Sequence, residues 1–253
     1  MAKTGSRDIT QGSIWKNLLL YFFPIWFGSI FQQLYTTVDA VIVGRFVGTE
    51  ALAALGGTSS LLVDLSVGFF IGASAGAGVV ISHLFGAKDE QRLKYAVRTS
   101  MKLAVAAGAI LMLGGFFMVP IALRWMNTPG DVLPGAILYL HVYFIGVIPS
   151  LLYNMGSGIL RAIGDSKRPL YYLIVGTFVN IILDFVFIAI FKMGVEGAAY
   201  ATIIAQIVTM ILVLHKLINT NQDYKLEINK IAFSNSILSK YSHTSPPFIL
   251  VRD

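Results

Sequence analysis

Long stretches without charge, separated by short charged segments, dominate this sequence. Of the 253 residues, 56% are hydrophobic and only 13% are charged, whereas soluble proteins carry about 25% charged residues. A stretch of roughly 20 apolar residues is long enough to cross a bilayer as a helix. This pattern excludes a soluble globular domain and a disordered chain, and the absence of Cys excludes a disulfide scaffold.

Six such stretches predict an all-α membrane protein, a bundle of six transmembrane helices. The predicted spans are Leu18–Val43, Leu52–Ser82, Leu103–Leu123, Val132–Leu160, Pro169–Phe191 and Gly197–Leu214. They divide the chain into an N-terminal tail (1–17), a transmembrane lobe (18–218) and a polar C-terminal tail (219–253).

The basic residues predict how the bundle lies in the membrane. Sixteen of the 19 Lys and Arg residues fall before span one, after span six and in the links after spans two and four, and only Arg45, Arg124 and Lys192 fall on the other side. Because Lys and Arg accumulate in cytoplasmic loops, both termini are expected in the cytoplasm of a multi-pass plasma-membrane protein. The link 88–102 is expected to include a helix lying on the membrane surface.

Small residues and prolines indicate how the spans pack. Gly68, Gly72 and Gly76 recur every fourth residue in span two, a spacing that lets helix backbones approach closely. Tight packing within the bundle is the favoured interpretation, with a dimer face as the alternative. Pro24 and Pro149 lie inside spans one and four, where each is expected to bend its helix.

Acidic side chains inside the spans are the strongest functional signal. A carboxylate at the bilayer centre costs on the order of 2.5–3.5 kcal/mol, so such a residue suggests function. The rise of a helix places Asp39, Asp184 and Thr202 at roughly 6 to 10 Å from one end of their spans. Tyr139 reaches a similar depth, and Asn180 lies one helical turn from Asp184 on the same face.

These groups predict a site for a proton or a hard cation such as Na⁺, the ligands of which are oxygen atoms. Two neighbouring carboxylates in an apolar setting would share a proton. Alternatively, each acid bonds locally to a hydroxyl group or reaches the membrane interface. Asp64 stands alone and both interpretations stay open, whereas His141 is expected to be a polar rim residue.

The sequence offers little support for an enzyme. Asp39 and Asp184 lie on different helices, as in an intramembrane aspartyl protease, but the Tyr-Asp and Gly-x-Gly-Asp signatures are missing. Neither a zinc-ligand spacing nor a nucleophile elbow is present. No cofactor is therefore expected apart from a coupling ion, and no nucleic-acid partner is expected.

Several segments resemble the multidrug and toxic-compound extrusion (MATE) family. The first is Gln32-Gln33-Leu34-Tyr35-Thr36-Thr37-Val38-Asp39, and the second is Leu84-Phe85-Gly86-Ala87-Lys88-Asp89. Residues 160–169, Asn180-Ile181-Ile182-Leu183-Asp184 and residues 194–202 are similar to later parts of the same family. The resemblance covers about residues 10 to 220 in the family's order.

The resemblance implies an antiporter that exports organic cations or other drugs against inward flow of H⁺ or Na⁺. It implies that Asp39, Asn180, Asp184 and Thr202 bind the coupling cation. Tyr35, Tyr139 and Asn154 match polar cavity residues, although Asn154 lies near the opposite end of its span from the cluster.

Family members have two six-helix lobes, so six spans correspond to the N-terminal lobe of a twelve-helix transporter. The tail 219–253 is interpreted as a truncated connector, and a second lobe is expected as partner. The alternatives are a non-transporting fragment or scaffold lobe, and a lipid-linked glycan flippase of the same superfamily. Flippase cavities tend to be basic, and the expected absence of Lys and Arg inside these spans favours cationic or neutral cargo.

Overall fold

The computed structural model describes residues 14–227, in which every regular element is a helix. The predicted tails lie largely outside this range, at residues 1–13 and 228–253. The helices are α1 (Ile14–Phe46), α2 (Thr49–Gly56), α3 (Thr58–Gly86), α4 (Glu90–Trp125), α5 (Leu133–Ile145), α6 (Val147–Ala162), α7 (Lys167–Asp184), a π-helix (Phe185–Ile190) and α8 (Val195–Ile218).

The helices account for the six predicted spans. Five segments of the described chain are long and apolar enough to cross a membrane, and the α5–α6 pair, bent by 50°, supplies a sixth. The second segment consists of α2 and α3, which are separated at Gly57. The prediction of a multi-pass helical membrane protein is confirmed.

The third span begins earlier than predicted. α4 runs as one helix of 36 residues from Glu90 to Trp125, so the expectation of a separate surface helix over 88–102 is wrong. Asp89 caps its start by accepting a hydrogen bond from the Arg92 N–H at 3.0 Å. The basic segment is therefore the first part of a helix that continues into the apolar span.

Prolines break one of the spans and remove a helical hydrogen bond from another. Pro149 has no N–H to donate to the carbonyl of Ile145, and the fourth span breaks between these residues, at Gly146. Pro120 in α4 likewise leaves the Phe116 carbonyl without its helical donor. His141 on α5 replaces that donor, because its Nε2 lies 2.9 Å from the Phe116 oxygen. Since a carbonyl only accepts, Nε2 carries the proton.

Helix α6 packs against α3, α4 and α8. Gly158 lies directly against the Ser74 backbone and side chain of α3, and the Ser74 hydroxyl donates to the Asn154 carbonyl at 3.0 Å. A Cβ added to Gly68, Gly72 or Gly76 would meet nothing within 4 Å. The prediction that these three glycines pack tightly within the bundle is therefore wrong in the described chain.

Contacts near the helix ends show which ends of the helices lie together. The Tyr21 hydroxyl, near the start of α1, donates to the Arg161 carbonyl at 3.1 Å. Arg98 of α4 forms an ion pair with Glu227, which follows α8. We call this the Arg161 end, and the opposite end, where α1 finishes, the Asp39 end. The basic links thus share one end of the bundle, as six alternating spans require; the orientation in the membrane stays a prediction.

Candidate cation and substrate site

A cavity of about 1120 Å³ opens between the helices of the lobe. α1 lines it with one face, on which Gly28, Gln32, Tyr35 and Asp39 recur at helical spacing. The opposite wall comes from α3, and residues of α5 to α8 close the space between them. The volume is sufficient for a drug-sized ligand.

Two acids from distant parts of the sequence meet beside this cavity. Asp39 of α1 is 9% exposed and Asp184 at the end of α7 is 0% exposed, and their carboxyl groups lie close enough to hydrogen-bond once one is protonated. Within residues 14–227, no donor pairs with either Asp184 oxygen or with Asp39 Oδ1. The sequence left open that each acid bonds locally to a hydroxyl group, and these three oxygens form no such bond in the described chain.

Asn180 and Thr202 lie with the two acids. Asn180 is fully buried, and neither its amide oxygen nor its amide nitrogen has a partner in the described chain. Thr202 of α8 shares a hydrogen bond of 3.1 Å with the Tyr35 hydroxyl, which joins α8 to α1. Two carboxyls, an amide and hydroxyls therefore converge, a donor set suited to a proton or Na⁺.

The predicted cavity residues divide into two groups. Tyr35 and Tyr139 line the cavity beside the acids. Asn154 also lines it, but its amide donates to the Ser150 carbonyl of its own helix at 2.9 Å. Asn154 is thus separate from the acidic cluster, as its position in the sequence indicates. In the part of the chain described, no three His, Asp or Glu residues group as ligands for a tightly bound metal.

Comparison with known proteins identifies the kind of protein that carries this arrangement. The MatE family profile matches residues 24–186, well over half of the chain. The chain belongs to the MatE family. Two relatives from Bacillus subtilis (strain 168), YpnP and YoeA, are each described as a probable multidrug resistance protein. YpnP is 31% identical over 216 residues, covering 83% of this chain and 48% of YpnP. YoeA is 34% identical over 210 residues, covering 81% of this chain and 45% of YoeA.

Solved structures agree in fold. The outward-facing conformation of a MATE transporter of the MOP superfamily matches with a TM-score of 0.83 at 27% identity, covering 94% of this chain and 53% of that one. A second match is a MOP-superfamily transporter from Pyrococcus furiosus, which is described as having a binding pocket of reverse polarity. Its TM-score is 0.84 at 27% identity, and the match covers 94% of this chain and 52% of that transporter. This MatE chain spans about half the length of these relatives. It is a transporter-family lobe and not an enzyme.

A short π-helix follows Asp184 in this MatE lobe, where the sequence predicts one continuous α-helix. The Phe191 N–H bonds to the Val186 carbonyl five residues earlier, at 2.9 Å. Such segments appear frequently at functional sites, because the wider turn changes the register of the side chains that follow. No residue in the apolar run 185–190 signals it.

Sequence reasoning missed three buried polar groups beside the cluster. The Tyr143 hydroxyl, Thr177 Oγ1 and Gln206 Oε1 are buried without a partner among the described residues, and all three residues line the cavity. Each lies three or four residues from a predicted site residue on the same helix, next to Tyr139, Asn180 and Thr202 respectively. Helical spacing could therefore have identified them.

Arg161 contradicts the expectation that no Lys or Arg lies inside the spans. α6 extends to Ala162, so Arg161 lies within the helix and lines the cavity at the Arg161 end. The cavity of this MatE lobe is accordingly not free of basic residues. Asp39 and Asp64 line it as well, and both lie in the half nearer the Asp39 end.

Proposed function

We propose that this chain supplies the N-terminal lobe of a cation-coupled multidrug antiporter that exports organic cations. One observation carries the proposal: Asp39 and Asp184 lie together beside a drug-sized cavity, both buried, with no partner among residues 14–227 for Asp39 Oδ1 or for either Asp184 oxygen. Two carboxylates in that position are stable only when a proton or Na⁺ neutralises them. The printed descriptions of YpnP and YoeA as probable multidrug resistance proteins support the same assignment.

In this proposal, the coupling ion controls which conformation the lobe favours. Binding of H⁺ or Na⁺ at Asp39 and Asp184 removes buried charge, and Asn180 and Thr202 contribute further oxygen ligands. A ligand shifts a conformational equilibrium only through its different affinity for the two states. The ion and the drug would therefore drive alternating access by favouring opposite states.

The antiporter also needs a second six-helix lobe across the cavity. The chain covers 48% of YpnP and 45% of YoeA, so about half of each relative has no counterpart in it. We expect that the chain alone, as a verified monomer in liposomes, does not transport. Coupled drug efflux by such monomers would contradict the need for a second lobe, and no efflux with any partner lobe would favour the scaffold alternative.

The test uses the full chain fused to the other half of YoeA and reconstituted in liposomes. We expect ethidium efflux driven by a proton or Na⁺ gradient, and we expect Asp184→Asn to abolish the coupling because one of the two shared carboxyls is lost. Asp131→Asn is the matched control, since it makes the same change at an exposed acid in the α4–α5 link. Gradient-driven efflux that persists in Asp184→Asn would contradict the proposal.

The flippase alternative receives less support from the lining. Arg161 is the sole basic side chain that lines the cavity among residues 14–227, while Asp39 and Asp64 contribute acidic groups. A lining with two acids and one base attracts a cationic cargo more than an anionic phosphate-linked glycan. Organic cations therefore remain the proposed cargo.

A further inference from the structure

Asp64 is an acid for which the proposed ion site has no use. It lies on α3, roughly 9 Å along the helix from its first residue Thr58, at a depth similar to that of Asp39 below the end of α1. Its side chain is exposed to the cavity and lines it. Among the described residues it forms no ion pair or hydrogen bond, so nothing nearby compensates its charge.

Tyr143 supplies a second and independent observation at the same place. This residue of α5 lines the same cavity and is 4% exposed, and its hydroxyl has no partner among the residues described. Asp64 lies within electrostatic range of that hydroxyl. The Tyr143 ring stacks on Tyr139, with ring centroids 6.4 Å apart and planes inclined by 27°. An unpaired hydroxyl, two stacked rings and an uncompensated carboxylate thus share one part of the cavity.

Asp39, Asp64 and Asp184 differ in burial, and therefore in the size of the ligand that can reach each one. Asp184 is fully buried and does not line the cavity, and Asp39 lines it with only 9% of its surface exposed. A proton or a dehydrated metal ion can reach this pair, whereas a bulky molecule does not reach Asp184 and has little access to Asp39. Asp64 is exposed on the cavity surface. A large cation can therefore contact Asp64 directly without displacing a helix.

We propose that Asp64 is the counter-charge for a bulky organic monocation in the cavity, with Tyr143 forming the aromatic wall beside it. The inference rests on the proposed function and deepens it, since it assigns ion and substrate to different acids. The carboxylate attracts the positive charge of the ligand, and the parts of Tyr143 and Tyr139 that line the cavity add aromatic contact beside it.

The experiment measures binding to the purified full chain in lipid nanodiscs, with empty nanodiscs as background. Two probes of nearly equal size are compared: methyltriphenylphosphonium, which is a cation, and triphenylphosphine oxide, which is neutral. The readout is the ratio of the two affinities. The wild type should prefer the cation, and Asp64→Asn should lower cation affinity by about tenfold or more, with neutral affinity unchanged.

Three further variants sharpen the result. Asp64→Glu keeps the charge and should retain most of the preference for the cation. Asp131→Asn removes a charge outside the cavity and should leave both affinities unchanged. Tyr143→Phe keeps the ring and removes the hydroxyl, so it should weaken cation binding by only a few-fold. Asp64→Ala replaces Asp64→Asn if the latter fails to fold.

The outcomes distinguish this inference from the proposed function. A wild type that binds both probes equally, or an Asp64→Asn chain that retains the full preference for the cation, overturns the role of Asp64 and leaves the antiporter proposal in place. A wild type that binds neither probe also overturns the role of Asp64, and the antiporter proposal is then decided by the efflux test of the fused protein. Both proposals are supported if Asp184→Asn loses ion coupling in the efflux test while the wild type prefers the cationic probe and Asp64→Asn loses that preference.

Discussion

At the scale of single residues, the hydrogen bond between Tyr35 and Thr202 connects the first and last spans beside the acidic pair. The two oxygens lie 3.1 Å apart, and Thr202 is 4% exposed. A hydroxyl buried between helices is costly unless it is paired. This bond therefore fixes the position of α8 relative to the face of α1 that carries Asp39.

We predict that Tyr35→Phe and Thr202→Val are not additive. Each single variant removes the bond and leaves its partner hydroxyl unpaired, whereas the double variant leaves none unpaired. The coupling should be about 0.6 kcal/mol, typical of such bonds between membrane helices. A double-mutant cycle on the free energy of unfolding in mixed detergent micelles measures it.

The control for this cycle is Thr36→Val. The Thr36 hydroxyl bonds to the Gln32 carbonyl of its own helix at 3.1 Å and is exposed, so its effect should simply add to that of Tyr35→Phe. Additive effects for the pair Tyr35 and Thr202 would show that the bond contributes nothing to stability.

At the scale of elements, the crossing of α3 and α6 depends on one glycine. Gly158 packs against Ser74, where a Cβ would lie 3.1 Å from the Ser74 carbonyl oxygen and closer still to its hydroxyl. The hydrogen bond from Ser74 to the Asn154 carbonyl lies at the same crossing. The glycines of the regular stripe on α3 face open space instead, so spacing alone does not reveal which small residue is packed.

We predict opposite effects for two Gly→Ala substitutions. Gly158→Ala should lower the free energy of unfolding by about 1–3 kcal/mol, because the added methyl overpacks the crossing. Gly72→Ala is the matched control, since its Cβ meets no atom within 4 Å. It should leave stability unchanged or raise it by up to about 1 kcal/mol through helix propensity. Thermal unfolding in detergent measures both, and equal losses would contradict the packing described.

At the scale of the whole molecule, the ends of the bundle differ in charge. Basic residues gather at the Arg161 end, in the α3–α4 and α6–α7 links, while Arg45, Arg124 and Lys192 are the basic residues near the Asp39 end. The positive-inside rule then predicts that the Arg161 end lies in the cytoplasm and the proposed ion site in the outer half of the membrane.

We predict that a membrane-impermeant maleimide labels Asp131→Cys and not Gln91→Cys in intact cells. The chain contains no native Cys, so each introduced thiol is the single target, and both positions are exposed at opposite ends of α4. Both variants should react after the cells are permeabilised, and the wild type should not react at all. Labelling of Gln91→Cys alone in intact cells would reverse the orientation.

The sequence by itself determined the number of spans, their order and the residues of the acidic cluster. Length and apolarity are properties of each segment alone, and an acid in an apolar segment is costly wherever the segment packs. Asp39, Asn180, Asp184 and Thr202 were selected on that basis and by resemblance, and the fold brings them together. Their role in binding an ion stays a prediction.

Only the tertiary structure decided which side chains face the cavity and how the helices are interrupted. The π-helix after Asp184 and the close contact at Gly158 depend on neighbouring helices, which local composition does not describe, whereas the break at Gly146 follows from Pro149. The same holds for Asp64, which is exposed to the cavity, and for Asp184, which is buried. Both are aspartates in apolar helices, and the difference between them arises from the atoms that other helices place around each one.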